Sequence, residues 1–115
     1  MEVKAVYKNA RISAKKMRDV AAAVQGMSVT QATDVLSYTP KKGAYLLNKT
    51  LKAAVANAEN NNGLSADELV LKSVMVDEGP TFRRTMARAR GSANMIRRRI
   101  GSPGSMASCR NCCKG

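Results

Sequence analysis

Histidine and tryptophan are absent from this 115-residue chain, and only four aromatic residues occur: Tyr7, Tyr38, Tyr45 and Phe82. Without histidine, the usual general base and metal ligand is missing, and no serine has a visible activating partner. Catalysis by the common constellations is therefore excluded on residue types. Carboxylates are scarce too, 8 Asp and Glu against 20 Lys and Arg, a formal charge of +12. The acidic pairs Asp67-Glu68 and Asp77-Glu78 are sequence neighbours, which on a strand point to opposite faces and make a poor two-carboxylate site. No apolar run approaches the ~18–20 residues of a bilayer span, and the first eight residues lack the apolar centre of a signal peptide. A soluble, cytoplasmic protein is expected. Cysteine is confined to Cys109, Cys112 and Cys113, so no disulfide is expected to staple the body. One C-x-x-C among three thiols and no histidine leaves a tetrahedral zinc site a ligand short. Phosphate-binding glycine loops are also lacking, and no cofactor is expected.

What is present suits one domain with a modest core. A chain of this length buries roughly two thirds of its unfolded surface, and 44% hydrophobic residues provide a packed interior of Ala, Val, Leu and Met. The charge is unevenly placed. Residues 1–78 hold 11 basic and 8 acidic side chains, whereas residues 79–115 hold 9 basic and none acidic. Arg83, Arg84, Arg88, Arg90, Arg97, Arg98 and Arg99 crowd one stretch without lysine. Such a run repels itself and calls for a polyanion. The planar guanidinium fork grips phosphate in a way ammonium cannot, which favours nucleic acid over a generic acidic partner.

Patterning supplies the elements. Residues 2–7 alternate and predict a short strand. Ser13 is placed to cap a helix carrying Met17, Val20, Ala21 and Val24 inward, with Ile12 and Met17 as a hydrophobic staple and Gly26 as the stop. A second helix from Ser28 or Thr30 carries Ala32, Val35 and Leu36 inward and ends before Pro40. Proline suits the first turn of a third helix, over residues 40–58, with Ala44, Leu47, Leu51, Ala54, Val55 and Ala58 on one face. Asn60, Asn61, Asn62 and Gly63 break it. A capping-box pattern spans Ser65 and Glu68, and branched apolar residues predict a strand from Leu69 to Val76 or Asp77. Beyond Gly79-Pro80, residues 81–85 and 94–100 read as extended arms around a turn at 88–92, with Gly91 at positive φ. Ten extended residues reach about 33 Å, so the arms project past a small body. Alone, such a hairpin is marginal in water.

Asn9-Ala-Arg-Ile-Ser-Ala-Lys-Lys-Met-Arg18, residues 32–39, Ala53-Ala-Val-Ala-Asn-Ala-Glu59, Val76-Asp-Glu-Gly-Pro80, Arg83-Arg84 and Ala87-Arg-Ala-Arg-Gly91 make residues 4–99 closely resemble the bacterial-type large-subunit ribosomal protein family twenty-two. The resemblance implies an α+β fold of three helices packed on a small antiparallel sheet, with a long protruding β-hairpin. It also implies an early-binding assembly component that contacts large-subunit rRNA and neighbouring ribosomal proteins. The hairpin would line the nascent-peptide exit tunnel, with Arg88, Ala89, Arg90, Gly91 and Ser92 at its tip near the nascent polypeptide. Arg83 and Arg84 would lie on the outgoing arm and Arg97, Arg98 and Arg99 on the returning arm. On the body, Arg11, Lys15, Lys16, Arg18, Lys41, Lys42 and Lys49 are the expected RNA contacts, through phosphate and shape. No membrane partner and no homo-oligomer are expected.

The expected domain is 1–100, with its hairpin at about 79–100, followed by a divergent flexible tail over 101–115. In the family an apolar return strand completes the sheet, but here Gly101-Ser-Pro-Gly-Ser105 and a cysteine-containing end take its place. The return strand is thus expected to be altered or missing, leaving residues 2–7 and 69–76 without a partner. Two other readings compete. A helix-turn-helix DNA-binding protein would use residues 13–25 and 30–38, but its second helix offers only Gln31, Thr33, Asp34 and Ser37. A membrane-surface binder would need an amphipathic basic helix, whereas the arginine run contains a glycine turn.

Overall fold

The computed structural model describes residues 3–102 and 109–111. Three helices make the body: α1 (Ala14–Val24), α2 (Val29–Tyr38) and α3 (Lys42–Asn62). Their buried faces follow the apolar spacing. Ala14, Met17, Val20, Ala21 and Val24 are buried on α1, and Ala44, Leu47, Leu51, Ala54 and Ala58 on α3. Ala32, Ala44, Ala54 and Ala58 are completely inaccessible, so small side chains let the helices approach closely while Met17, Val24, Leu69 and Leu71 fill the volume between them.

The helix ends differ from expectation in instructive ways. Ser13 is extended at the N-cap of α1, but its hydroxyl makes no capping bond. The hydrophobic part of the motif persists, since Ile12 packs on the core that buries Met17. Val35, expected inside, is 39% exposed on α2. Thr39 closes that helix, its amide and its hydroxyl both donating to the Val35 carbonyl, at 3.1 and 2.7 Å. Pro40 lies outside α3, whose N-cap is Lys41. At the other end α3 runs through the asparagines to Asn62. Gly63 then takes the left-handed conformation, φ 62°, and its amide caps the last turn.

Among the described residues, six short strands follow or flank the body: β1 (Leu69–Leu71), β2 (Asp77–Glu78), β3 (Phe82–Ala87), β4 (Ala93–Arg98), β5 (Gly101–Ser102) and β6 (Cys109–Asn111). They pair antiparallel as β1 with β6, β2 with β5, and β3 with β4. β1 also exchanges hydrogen bonds with the α1–α2 turn: Gly26 donates to Leu71 and Leu71 to Met27. The molecule is therefore α+β, with three helices on small antiparallel pairings. The return strand exists in altered form, as the short pieces β5 and β6. Leu69–Leu71 thus has a partner after all, because a ladder needs only backbone groups without proline and Cys109–Asn111 provide them. Pro103, Cys112, Cys113 and Glu2 lie outside the described residues.

Two expected strands are not continuous. Residues 3–9 are not assigned to a strand, although Val3 and Ala5 are buried between exposed Lys4 and Val6, so the alternation marks a buried face. Next to this segment, Ala10 bridges to Gly101. Of the strand expected from Leu69 to Val76, Leu69–Leu71 forms as β1 and Ser73 adds a single bridge. The Val76 carbonyl accepts from the Arg18 guanidinium at 3.3 Å.

The β3–β4 hairpin stands apart from this body. Every residue on both strands is exposed, and the molecule extends 71 × 26 × 17 Å with a radius of gyration of 17.5 Å. A compact chain of this length would have a radius of about 13 Å.

Candidate nucleic-acid interface

The hairpin register decides which arginines share a face. Phe82 pairs with Arg98, Arg83 with Arg97, Arg84 with Ile96, Thr85 with Met95, Met86 with Asn94 and Ala87 with Ala93. Residues directly opposite point to the same side. One face therefore carries Arg83 and Arg97 side by side, and the other carries Arg84 and Arg98 beside Phe82 and Ile96. Like charges so opposed destabilise the free hairpin. At the tip a 3₁₀ turn, Ala89–Gly91, reverses the chain; Arg90 has φ 61° and Gly91 φ 71°. The Arg88 amide donates to the Ser92 carbonyl at 2.8 Å and the Ser92 hydroxyl to Ala89 at 3.0 Å. Both Arg88 and Arg90 are exposed there.

Where the hairpin meets the body, a groove of about 1010 Å³ opens. Arg11 and Lys16 enter it from the start of α1, Lys41 and Lys42 from the start of α3, Arg83 and Arg84 from β3, and Arg98 and Arg99 from the return. Eight of the fourteen expected RNA-contacting cations are thus gathered around one space. Lys42 also donates to the Arg11 carbonyl at 3.3 Å, tying the two helix starts together. Among the described residues, no carboxylate forms an ion pair with any of these eight. A concave surface lined by eight such cations against the single carboxylate of Asp19 focuses a net positive field on an incoming anion.

The remaining expected residues are placed elsewhere. Lys15 is exposed on α1 outside the groove. Arg18 spends its Nε–H on the Val76 carbonyl, and the Lys49 ammonium stands 5.8 Å from the centre of the Tyr7 ring. Arg97 pairs with Arg83 across the hairpin but does not line the groove, and Arg88 and Arg90 occupy the distal tip. Sequence reasoning missed Asp19 in the groove, three positions after Lys16 on the exposed side of α1; helical spacing from Lys16 carries that signal. It also missed that Ile12, Phe82 and Ile100 line the same space.

The second helix of a helix-turn-helix pair should offer free polar side chains. Here the Thr33 hydroxyl donates to Val29 and that of Ser37 to Asp34 within α2 itself. Among the described residues no group of three or more metal-ligating side chains occurs, and no helix is long and apolar enough to cross a membrane.

A small α+β body bearing an exposed arginine hairpin with a cationic groove at its root defines a basic scaffold protein. The profile of ribosomal protein L22p/L17e matches residues 5–101. The protein named large ribosomal subunit protein uL22 from Akkermansia muciniphila is 83% identical over 99 residues, covering 86% of this chain and 88% of the relative. Its namesake from Methylacidiphilum infernorum is 57% identical over 99 residues, covering 86% and 87%. The chain belongs to the ribosomal protein L22p/L17e family, and is a ribosomal structural protein rather than an enzyme.

Proposed function

We propose that this chain is a component of the large ribosomal subunit that binds large-subunit rRNA through the root groove and both hairpin arms, and assists assembly of the subunit. The observation that carries the reading is the gathering of Arg11, Lys16, Lys41, Lys42, Arg83, Arg84, Arg98 and Arg99 around one groove without a paired carboxylate. Guanidinium and ammonium groups so arranged exchange their counterions for RNA phosphates, which favours binding most at low salt. Lys15, Arg18, Lys49, Arg88, Arg90 and Arg97 extend the contact along α1, α3 and the arm. The distal tip, Arg88 to Ser92, lies far enough from the body to line the nascent-peptide tunnel while the body stays on the subunit surface. Neighbouring ribosomal proteins and the nascent polypeptide are then its further partners, in the cytoplasm.

Sedimentation of the tagged chain from a lysate through a sucrose gradient, with a high-salt wash, tests this. Stoichiometric retention in the large-subunit peak is the expected result, and exclusion from that peak would refute it. Replacing Arg83 and Arg84 together by Ala should lower affinity for rRNA and flatten its salt dependence by about one to two phosphate contacts.

A further inference from the structure

The groove at the hairpin root contains two features that phosphate binding does not require. Phe82 is the single phenylalanine of the chain. It stands 56% exposed on the groove wall and takes no part in the core cluster. Half-buried Ile12 and buried Ile100 line the same space. Apolar groups gain nothing from a phosphate, yet together they make a surface on which a flat, weakly hydrated ring leaves water. The second feature is Asp19. It is the lone carboxylate lining the groove, it is in no ion pair with any described residue, and it repels the phosphates that its cationic neighbours attract. A carboxylate there can instead accept from a hydrogen-bond donor on the ligand, such as the exocyclic amino group of a base.

One ligand answers all three chemistries: a nucleotide whose base is unpaired. Its phosphate takes the charge, its ring takes the apolar wall, and its amino group takes the carboxylate. The space, about 1010 Å³, is ample for a group of that size. Single-stranded bases splayed onto an aromatic side chain are a general mode of RNA recognition. We propose that the groove is a pocket for one unpaired RNA nucleotide, its base stacked on Phe82 beside Ile12 and Ile100, its phosphates on Arg84 and Arg98, and its exocyclic amino group donating to Asp19. The pocket rests on the rRNA-binding reading and adds a base-dependent term to it. Cytosine, which carries an amino donor, is preferred over uracil, which does not.

The test measures binding of the full chain by fluorescence anisotropy to three RNA oligomers of about ten nucleotides: oligocytidylate, oligouridylate, and an abasic ribose-phosphate chain of equal charge. Phe82→Ala should weaken oligocytidylate binding about tenfold and leave both the abasic chain and the salt slope unchanged. Phe82→Leu, which keeps apolar packing at the hairpin root, should lose as much, whereas Phe82→Trp should restore binding. Asp19→Ala should abolish the preference for cytosine over uracil while binding the abasic chain as well or better. Equal losses on oligocytidylate and on the abasic chain, or none on either, would overturn the nucleotide pocket and leave the phosphate contacts standing. Failure of the unaltered chain to bind any of the three would overturn the rRNA reading and the pocket with it.

Discussion

Gly101 illustrates how one residue joins the hairpin to the body. Its amide donates to the Ile12 carbonyl, it bridges to Ala10, and it pairs with Glu78 in β2. A Cβ built there would sit 2.9 Å from the Ile12 carbonyl oxygen and 3.2 Å from the Ala14 amide nitrogen. Both are backbone atoms at the start of α1, so neither can swing aside. Gly101→Ala should therefore cost about 1–3 kcal/mol, read as a lowered urea midpoint with an unchanged slope. An unaltered midpoint would mean the α1 start yields freely. Arg90 is the converse case, a bulky residue held at φ 61°, where an L side chain costs about 1–2 kcal/mol. Local conformation gains nothing from arginine there, so its value lies in what the side chain meets. Arg90→Gly should leave the melting temperature unchanged or raised, yet reduce the salt slope of RNA binding by about one. A full-strength slope would remove Arg90 from the contact surface.

Among the elements, the hairpin sets its own stability against its charge. Arg83 and Arg97 oppose each other directly, and none of the twelve strand residues is covered by the body. Cross-strand charge pairs change strand pairing by about 0.2–1 kcal/mol each. Arg97→Glu should thus slow amide exchange across β3 and β4 by up to about fivefold, leave the helices unchanged, and weaken RNA binding. Unchanged exchange would show that the two guanidinium groups avoid each other without cost. This element was legible in the sequence because its turn glycine and its lack of core-forming side chains are local signals. The helix faces were legible for the same reason: Met17, Val20, Ala21 and Val24 recur at the helical period. What escaped was hydrogen-bond partnership at a distance. Alternation over residues 2–7 correctly signals that Val3 and Ala5 are buried, but it cannot say whether a strand edge lies alongside. Nor does any local pattern foretell that Arg11 and Arg83, 72 positions apart, line one groove; the hairpin's root is brought to α1 by the Gly101 contacts.

On the scale of the whole molecule, folding and reach are separated. All twenty members of the core cluster lie in the body or its flanks, from Val3 to Val76, and none belongs to β3 or β4. The hairpin root is held instead by Ile100, which is 4% exposed and whose carbonyl accepts from Gly79 at 2.8 Å. Phe82 and Arg98 are cross-strand partners, so their Cα atoms stand about 5 Å apart and a two-residue Asn-Gly turn can join them. Replacing residues 83–97 by that turn removes Arg83, Arg84, Arg88, Arg90 and Arg97 while keeping Ile100, Gly101 and the cations on α1 and α3. The shortened chain should keep its helical circular dichroism and melt within a few degrees of the parent, since surface changes away from the core shift stability by about 0.5 kcal/mol or less. Its salt slope for RNA should fall by about 3 to 4, from five lost cations at roughly 0.7 each. A melting temperature lowered by tens of degrees would show that the arm supports the body after all. A slope that stays at the parent value would place the RNA contacts on the helices, with the arm a bystander to binding.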